Sequence, residues 1–492
     1  MNSCCETFFK LERLVLALTL VALVTTHVQA DLTESDRAAV LHRLDAKSDH
    51  YAKIAQQIWQ FAEVGYQETK SAALLKDELM AAGFTLRENI AGIPTAFSAQ
   101  AGSGSPVIGI LGEYDALPGL SQDSVPEKRP VRVNQPGHGC GHNLFGVGSA
   151  AAAIAVKQWL SEKGVSGTVR FYGCPAEEGG GGKIYMVRAG AFNDCDAVLH
   201  WHPANENRAS LKTNLANMTG KFRYRGAAAH AAGSPDKGRS ALDGVMLFTH
   251  AVELLREHVP QTTRIHYVIT SGGDAPNVVP AFAEVFIYLR SPEMTVIDNV
   301  WPRIVKCAEA GALATETKVE LELINSAYSI LPNDELTRVI EKNLRLVGGI
   351  SYTPEERAFA ESLRKTFVAE PAQSLGNESQ IGKAEEGISY GSTDVGDVSW
   401  VVPTAGFGTA TFVPGTPGHS WQSTACSGMS IGHKGMLVAA KTLTLSAIDL
   451  FTSPAALAKA KADFANRKSG KDYRSRLPAE QKPPLDYRNR GN

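Results

Sequence analysis

The chain has 492 residues, of which 43% are apolar and 20% charged, with 49 basic against 51 acidic side chains and a formal net charge of −2. That balance lacks the strongly basic face of a nucleic-acid binder, and no phosphate loop or dinucleotide fingerprint follows a strand pattern. The length exceeds what one hydrophobic core usually supports, so two domains are expected.

The N-terminus differs in kind from the rest. Lys10 and Arg13 precede an apolar run over residues 14–24, and Ala30 follows with Val28 two positions before it. The run is too short to span a bilayer comfortably, and the Ala30 position fits a leader-peptidase site. Residues 1–30 are therefore expected to be an export signal removed before Asp31, with no stable membrane insertion afterwards; a retained anchor is the alternative. Cys4 and Cys5 would leave with the leader. The remaining Cys140, Cys174, Cys195, Cys307 and Cys426 are odd in number and widely spaced, which is no disulfide framework.

Beyond the leader, the periodicity predicts an amphipathic helix over 36–65 and a second over 71–82, ended by Gly83. Residues 107–111 form a short apolar run bounded by Gly112 and Glu113-Tyr-Asp115, which reads as a buried strand. An Ala-rich helix over 146–160 follows, then strands over 168–172 and 197–202. Such alternation predicts a mostly parallel α/β sheet, whose ligand crevice lies at the carboxyl ends of its strands. Asp115, Glu177, Glu178 and His202 all fall at those ends.

The pattern changes from about residue 214. Strands over 220–225, 264–270, 283–290 and 318–323 flank helices over 240–258 and 295–312 in the order β-α-β-β-α-β, that of a ferredoxin-like sandwich. Because α/β patterning resumes after Pro332, residues 214–328 read as a domain inserted between catalytic parts 31–213 and 329–450. Residues 451–492 are an extension; their end, rich in Lys, Arg and Pro, is expected to be a solvated tail.

Four Gly- or Pro-punctuated stretches carry the chemistry: Gly-His138-Gly-Cys140-Gly-His142-Asn143, Pro-Ala-Glu177-Glu178-Gly-Gly-Gly-Gly, Leu-His200-Trp-His202-Pro and Pro-Gly-His419-Ser-Trp. A thiolate, imidazoles and carboxylates suit borderline-soft divalent ions such as zinc, with manganese as the alternative. Glycine lets a loop approach a ligand closely. On an extended segment Glu177 and Glu178 point to opposite sides, so one can hold an ion while the other faces a water; the residues alone do not say which. His200 and His202 share a strand face, and His202 at the strand end is the better ligand. His230 sits in a small-residue loop, Gly226-Ala-Ala-Ala-His-Ala-Ala-Gly, far in sequence from these motifs.

These motifs, together with Gly112-Glu-Tyr-Asp-Ala-Leu-Pro-Gly-Leu120, Ser392-Thr-Asp-Val-Gly-Asp397 and Pro417-Gly-His-Ser-Trp-Gln422, resemble the dinuclear metallo-amidohydrolase and peptidase family that includes aminoacylases, carboxypeptidase G and auxin-conjugate hydrolases. Within it they look most like the aminobenzoyl-glutamate hydrolase branch. The resemblance runs from about 36 to 450 and implies a catalytic α/β domain interrupted by a dimerisation domain. It implies two divalent ions per subunit (Zn or Mn) held by Cys140, His142, Glu178, His202 and His419, with Glu177 as general base and Asp115 orienting a ligand. It also implies that His230 reaches the active site of a second subunit and that Asn277 and Arg290 contact substrate. The expected reaction is hydrolysis of N-acyl or N-aroyl amino acids by a homodimer, or by a heterodimer with a related subunit. Two rivals remain: a dipeptidase or carboxypeptidase on the same scaffold, and a cysteine hydrolase with Cys140 as nucleophile. Glu113 and Asn143 depart from the pattern, standing where auxin-conjugate hydrolases carry Asp.

Overall fold

The computed structural model describes residues 32–488, so the expected leader lies outside the described residues. Thr33 caps helix α1 (Glu34–Ala46), its hydroxyl accepting from the Asp36 amide. The single helix expected over 36–65 is interrupted at Lys47, and α2 (Ser48–Phe61) then runs until Ala62 turns left-handed. Its buried Tyr51, Ile54, Ala55 and Ile58 follow helical spacing and make one apolar stripe. Helix α3 (Thr69–Ala81) leads to two strands that the sequence pattern did not reveal, β1 (Thr85–Glu88) and β2 (Phe97–Ser103). The first is a largely exposed edge, and the second is mostly Ala, Ser and Gly, which carry little strand signal.

Strand β3 (Val107–Glu113), helix α4 (His142–Lys163), strand β4 (Gly167–Cys174), helix α5 (Gly182–Arg188) and strands β5 (Ala197–Ala204) and β6 (Asn207–Thr213) complete the first pass. The chain then builds a separate sheet from β7 (Ala216–Arg225), α6 (Ala241–Leu255), β8 (Arg264–Ser271), β9 (Phe282–Ser291), α7 (Met294–Ala314) and β10 (Lys318–Asn325). Its strand order is β10-β7-β9-β8, every pair antiparallel. This is the expected ferredoxin-like α+β unit, with its own core around Phe222, Phe248, Ile287 and Trp301.

On return come α8 (Asp334–Val347), α9 (Pro354–Arg364), β11 (Ile381–Gly382), β12 (Glu386–Ile388), α10 (Val395–Ser399), β13 (Thr404–Ala410), α11 (Trp421–Ser427), α12 (Ser430–Thr452) and α13 (Pro454–Lys468). The central sheet runs β1-β2-β4-β3-β5-β13-β6-β11, with β12 also on β6. It is mostly parallel, as expected: only β1/β2, β2/β4 and β13/β6 are antiparallel. Helices α4 and α12 pack together against β3, β5 and β13. Both are long and apolar enough to cross a membrane, but 83% of the apolar window of each is buried here, as core helices are.

The end of the chain is not the solvated tail expected from its composition. The Tyr473 hydroxyl donates to Asp397 Oδ1 at 2.7 Å, Arg476 makes a two-point ion pair with Asp298, and Gln481 Nε2 donates to the Leu323 carbonyl at 2.8 Å. Gln67 Nε2 donates to the Leu485 carbonyl at 2.8 Å. Residues 473–488 thus form a strap across both sheets' domains. Composition misled because the arginines are spent on carboxylates and carbonyls rather than on water.

Candidate metal centre

The parallel strands converge on a cavity of about 760 Å³. It opens at the carboxyl ends of β3, β4 and β5, where an α/β sheet is expected to hold its ligand. Each strand delivers a different side chain. Glu113 ends β3, with Asp115 two residues on; Glu177 and Glu178 follow β4; His202 lies near the end of β5. His142 opens α4, and Cys140 lies in the turn before it, where Gly141 adopts φ 76°. A Cβ on Gly141 would also stand 2.8 Å from the Pro203 side chain.

Three sets of ligand atoms lie within 4.8 Å of one another: Cys140, His142 and His202; Cys140, Glu178 and His419; Glu113, His142 and Glu177. Cys140 belongs to two sets and His142 to two, so the cluster is continuous. Cys140 Sγ is 3.4 Å from His202 Nε2. His142 Nε2 and Glu178 Oε1 are buried without a hydrogen-bond partner among the described residues, although Glu113 Oε2 lies 3.1 Å from the first and His419 Nε2 3.5 Å from the second. Buried polar atoms are rarely left unsatisfied. These two, facing a thiol and further carboxylates, fit a cation-binding site.

The surroundings hold the cluster in place. Asp115 Oδ1 accepts from His142 Nδ1 at 2.9 Å, which leaves Nε2 directed at the cluster; Oδ2 accepts the Glu178 amide at 2.9 Å. Asp115 therefore orients one imidazole and one carboxylate and is not itself in any of the ligand sets. His202 Nδ1 is 2.8 Å from the Pro203 carbonyl, again freeing Nε2. Two non-glycine residues at the site have left-handed backbones, Ala176 at φ 57° and His419 at φ 51°, the kind of local strain that concentrates at functional positions. The Gly179–Gly182 run makes the turn from β4 into α5, where a Cβ on Gly182 would stand 2.1 Å from the Pro175 carbonyl oxygen.

Protonation follows burial and charge. Burial pushes the Cys140 thiol well up, reinforced by the Glu178 charge; without a cation it is a thiol rather than a thiolate, which disfavours the cysteine-nucleophile rival. Burial pulls His202 down to about 4, so its imidazole is neutral and able to ligate. Burial also pulls on His142, but Cys140, Glu113 and Asp115 outweigh it and move it up. The field that favours a proton there favours a divalent ion equally. Glu177 is raised by burial and by the charges of Glu113 and Glu178.

The other sequence-derived candidates fall elsewhere. Arg290 lines the cavity. His230 and Asn277 stand out on the small domain, close to one another through the His230–Val278 bridge, and are not among the residues lining this chain's cavity. His200 lines the cavity but belongs to no ligand set among the described residues; its ring packs on Gly406, whose Cβ would be 2.3 Å away. His138 turns outward to the Ile58 carbonyl at 3.0 Å. Asn143 donates to the Ala55 and Ser427 carbonyls, a structural role that explains why no Asp is required there.

Sequence reasoning missed a second layer. Lys183 is fully buried on α5 between Glu113 Oε1 at 2.6 Å and Asp394 Oδ1 at 2.7 Å. A lysine within the apolar Ile-Tyr-Met-Val context was the available signal. Glu68, also buried, accepts the Ala176 amide at 2.8 Å and the Thr95 hydroxyl at 3.0 Å, and so fixes the strained turn before Glu177.

A profile of peptidase family M20/M25/M40 matches residues 109–443. The chain is 42% identical over 466 residues to one of the two p-aminobenzoyl-glutamate hydrolase subunits of Escherichia coli (strain K12), covering 89% of this chain and 97% of that one. It is 31% identical to the Xaa-Arg dipeptidase of Mus musculus, over 86% of this chain and 90% of the relative. A solved dinuclear metal binding peptidase from the M20 family of Bacillus subtilis superposes with a TM-score of 0.55 at 19% identity, covering 83% of this chain and 100% of that one.

Proposed function

The chain belongs to peptidase family M20/M25/M40, and from that premise we propose that it is a dinuclear metal-dependent amidohydrolase of N-acyl or N-aroyl amino acids, with aminobenzoyl-glutamate-like compounds as the substrate class. The single observation that carries this reading is the convergence of Cys140, His142, Glu178, His202 and His419 into two ligand sets sharing the thiol. The 42% identity to an aminobenzoyl-glutamate hydrolase chain supports the substrate class.

Two divalent ions, zinc or manganese by the donor chemistry, would be held by those five residues and would supply Lewis-acid chemistry at a water and at the scissile carbonyl. Glu177 stands beside them with no basic ion-pair partner among the described residues. It takes a proton from the attacking water and returns it to the departing amine nitrogen. Asp115 keeps His142 and Glu178 aimed at the cluster. His230 and Asn277 lie outside their own chain's cavity. In a dimer formed through the small domain they would face the neighbouring subunit's substrate, His230 sharing the charge that develops on the carbonyl oxygen. Exposed apolar side chains on α6 and the edge strand β8 (Met246, Leu254, Val268 and Ile269) support such a dimer. A second copy is the simplest partner. The other is a related but different chain, in the way that the E. coli hydrolase is named for two distinct subunits, both similar to this protein. Export is proposed from Lys10, Arg13, the apolar run and Ala30 alone.

A second reading, dipeptidase activity, is favoured by the Xaa-Arg dipeptidase relative. A panel of N-benzoyl amino acids set against dipeptides separates the two. Within that panel, Glu177→Gln is expected to lower turnover by roughly 10²–10⁴-fold while retaining its metal content. Wild-type turnover in that variant would refute the assignment of Glu177 as base.

A further inference from the structure

The C-terminal strap ends in the cavity. Tyr487 donates its hydroxyl to the Glu178 carbonyl at 3.0 Å, and Arg488 donates Nη2 to the same oxygen. The guanidinium lies over the Tyr487 ring, 4.8 Å from its centroid. Arg488 lines the cavity along with Arg290 and Tyr288. The surroundings of Gly179 tie these groups together: a Cβ there would stand 3.6 Å from Arg488 Nη2 and 3.8 Å from the Tyr288 hydroxyl.

The two arginines share an unusual condition. Arg290 Nε and Arg488 Nε are both buried without a hydrogen-bond partner among the described residues. Neither guanidinium is ion-paired to a carboxylate among those residues, whereas Arg476 on the same strap is paired with Asp298 and Arg170 with Asp194. Burying a cation away from water without a counter-charge is costly. Two such cations on one wall, a cavity's width from a set of metal-ligand donors, form a receptor for an anion with two carboxylates. A guanidinium has five donors in a planar fork, so the single bond from Arg488 Nη2 to the Glu178 carbonyl leaves most of its donors free.

We propose that the strap completes an anion subsite, in which Arg488 acts with Arg290 to bind the carboxylates of a dicarboxylic amino acid on the amine side of the scissile bond. Arg488 is then a specificity-determining residue supplied by a segment outside both sheet domains. The assignment rests on the amidohydrolase reading for the identity of the amine side, but not for the existence of the subsite.

Free L-glutamate and its neutral isostere L-glutamine are the probes, titrated calorimetrically into the metal-containing full-length enzyme. Wild type is expected to bind glutamate about tenfold or more tightly than glutamine, the size of a charge-assisted hydrogen-bond difference. Arg488→Ala is expected to erase most of that preference. Arg488→Lys, which keeps the charge but loses the fork, is expected to retain about threefold. Unchanged melting temperatures and metal contents would show that neither variant acts through misfolding. Equal affinity of wild type for the two probes, or an undiminished preference in Arg488→Ala, would overturn the proposal. Hydrolysis of N-benzoyl-glutamate is followed separately. No turnover by wild type, together with a lost glutamate preference in Arg488→Ala, rejects the amidohydrolase reading and leaves the subsite standing.

Discussion

The two walls of the cavity have opposite character. One, at the ends of β3, β4 and β5, holds Glu113, Glu177, Glu178, Cys140 and neutral His202; the lysine beneath it, Lys183, is fully engaged by Glu113 and Asp394. The other, built from β9 and the C-terminal strap, presents Arg290 and Arg488 without carboxylate partners among the described residues. A buried charge that already has its partners is a structural element, whereas one left without them is a binding element. The first wall suits cations and the second suits anions, as hydrolysis of an amide that carries a free carboxylate requires.

The sharpest way to break this comparison is to remove one cation from each wall. Lys183→Met strands two buried carboxylates and is expected to cost about 3–5 kcal/mol in urea unfolding. Arg290→Met abandons no counter-ion and is expected to change stability by no more than about 1 kcal/mol, while weakening glutamate binding. Equal losses in the two variants would erase the distinction between the walls.

A smaller effect is expected where the walls meet. Asp397 on α10 accepts from the Tyr328 amide at 3.0 Å and from the strap's Tyr473 hydroxyl at 2.7 Å. Burial pushes its carboxyl up to about 7 from an ordinary value of 3.8, so the folded protein keeps a proton that the unfolded chain releases near pH 4. The stability gained is complete below pH 4 and is lost as pH rises to about 7. Relative to Asp397→Asn, wild type is therefore expected to lose about 2–4 kcal/mol between pH 4 and pH 7. A pH-independent difference between the two proteins would contradict this account of the seam.

The acidic wall was far more legible in the sequence than the cationic one. Cys140, His142, Glu178 and His202 sit beside glycines and at the ends of apolar strands, so residue type and local pattern coincide there. The ferredoxin-like unit was equally plain, because its strands and helices alternate with strong periodicity. Strand β2 was not, since a run of Ala, Ser and Gly takes its conformation from pairing with β4 rather than from propensity. Lys183 and Glu68 were hidden because each acts through partners more than a hundred residues away. Arg488 was hidden by composition. A stretch rich in Lys, Arg and Pro looks solvated until the carboxylates and carbonyls that receive it are known.

Metal content tests the central claim most directly. Elemental analysis of purified wild type is expected to find two divalent ions per chain. His419→Ala, which touches one ligand set, should lose close to one ion, and Cys140→Ser, common to both sets, should lose more. A wild-type protein without divalent metal, or a Cys140→Ser variant that keeps the full complement, would contradict the account.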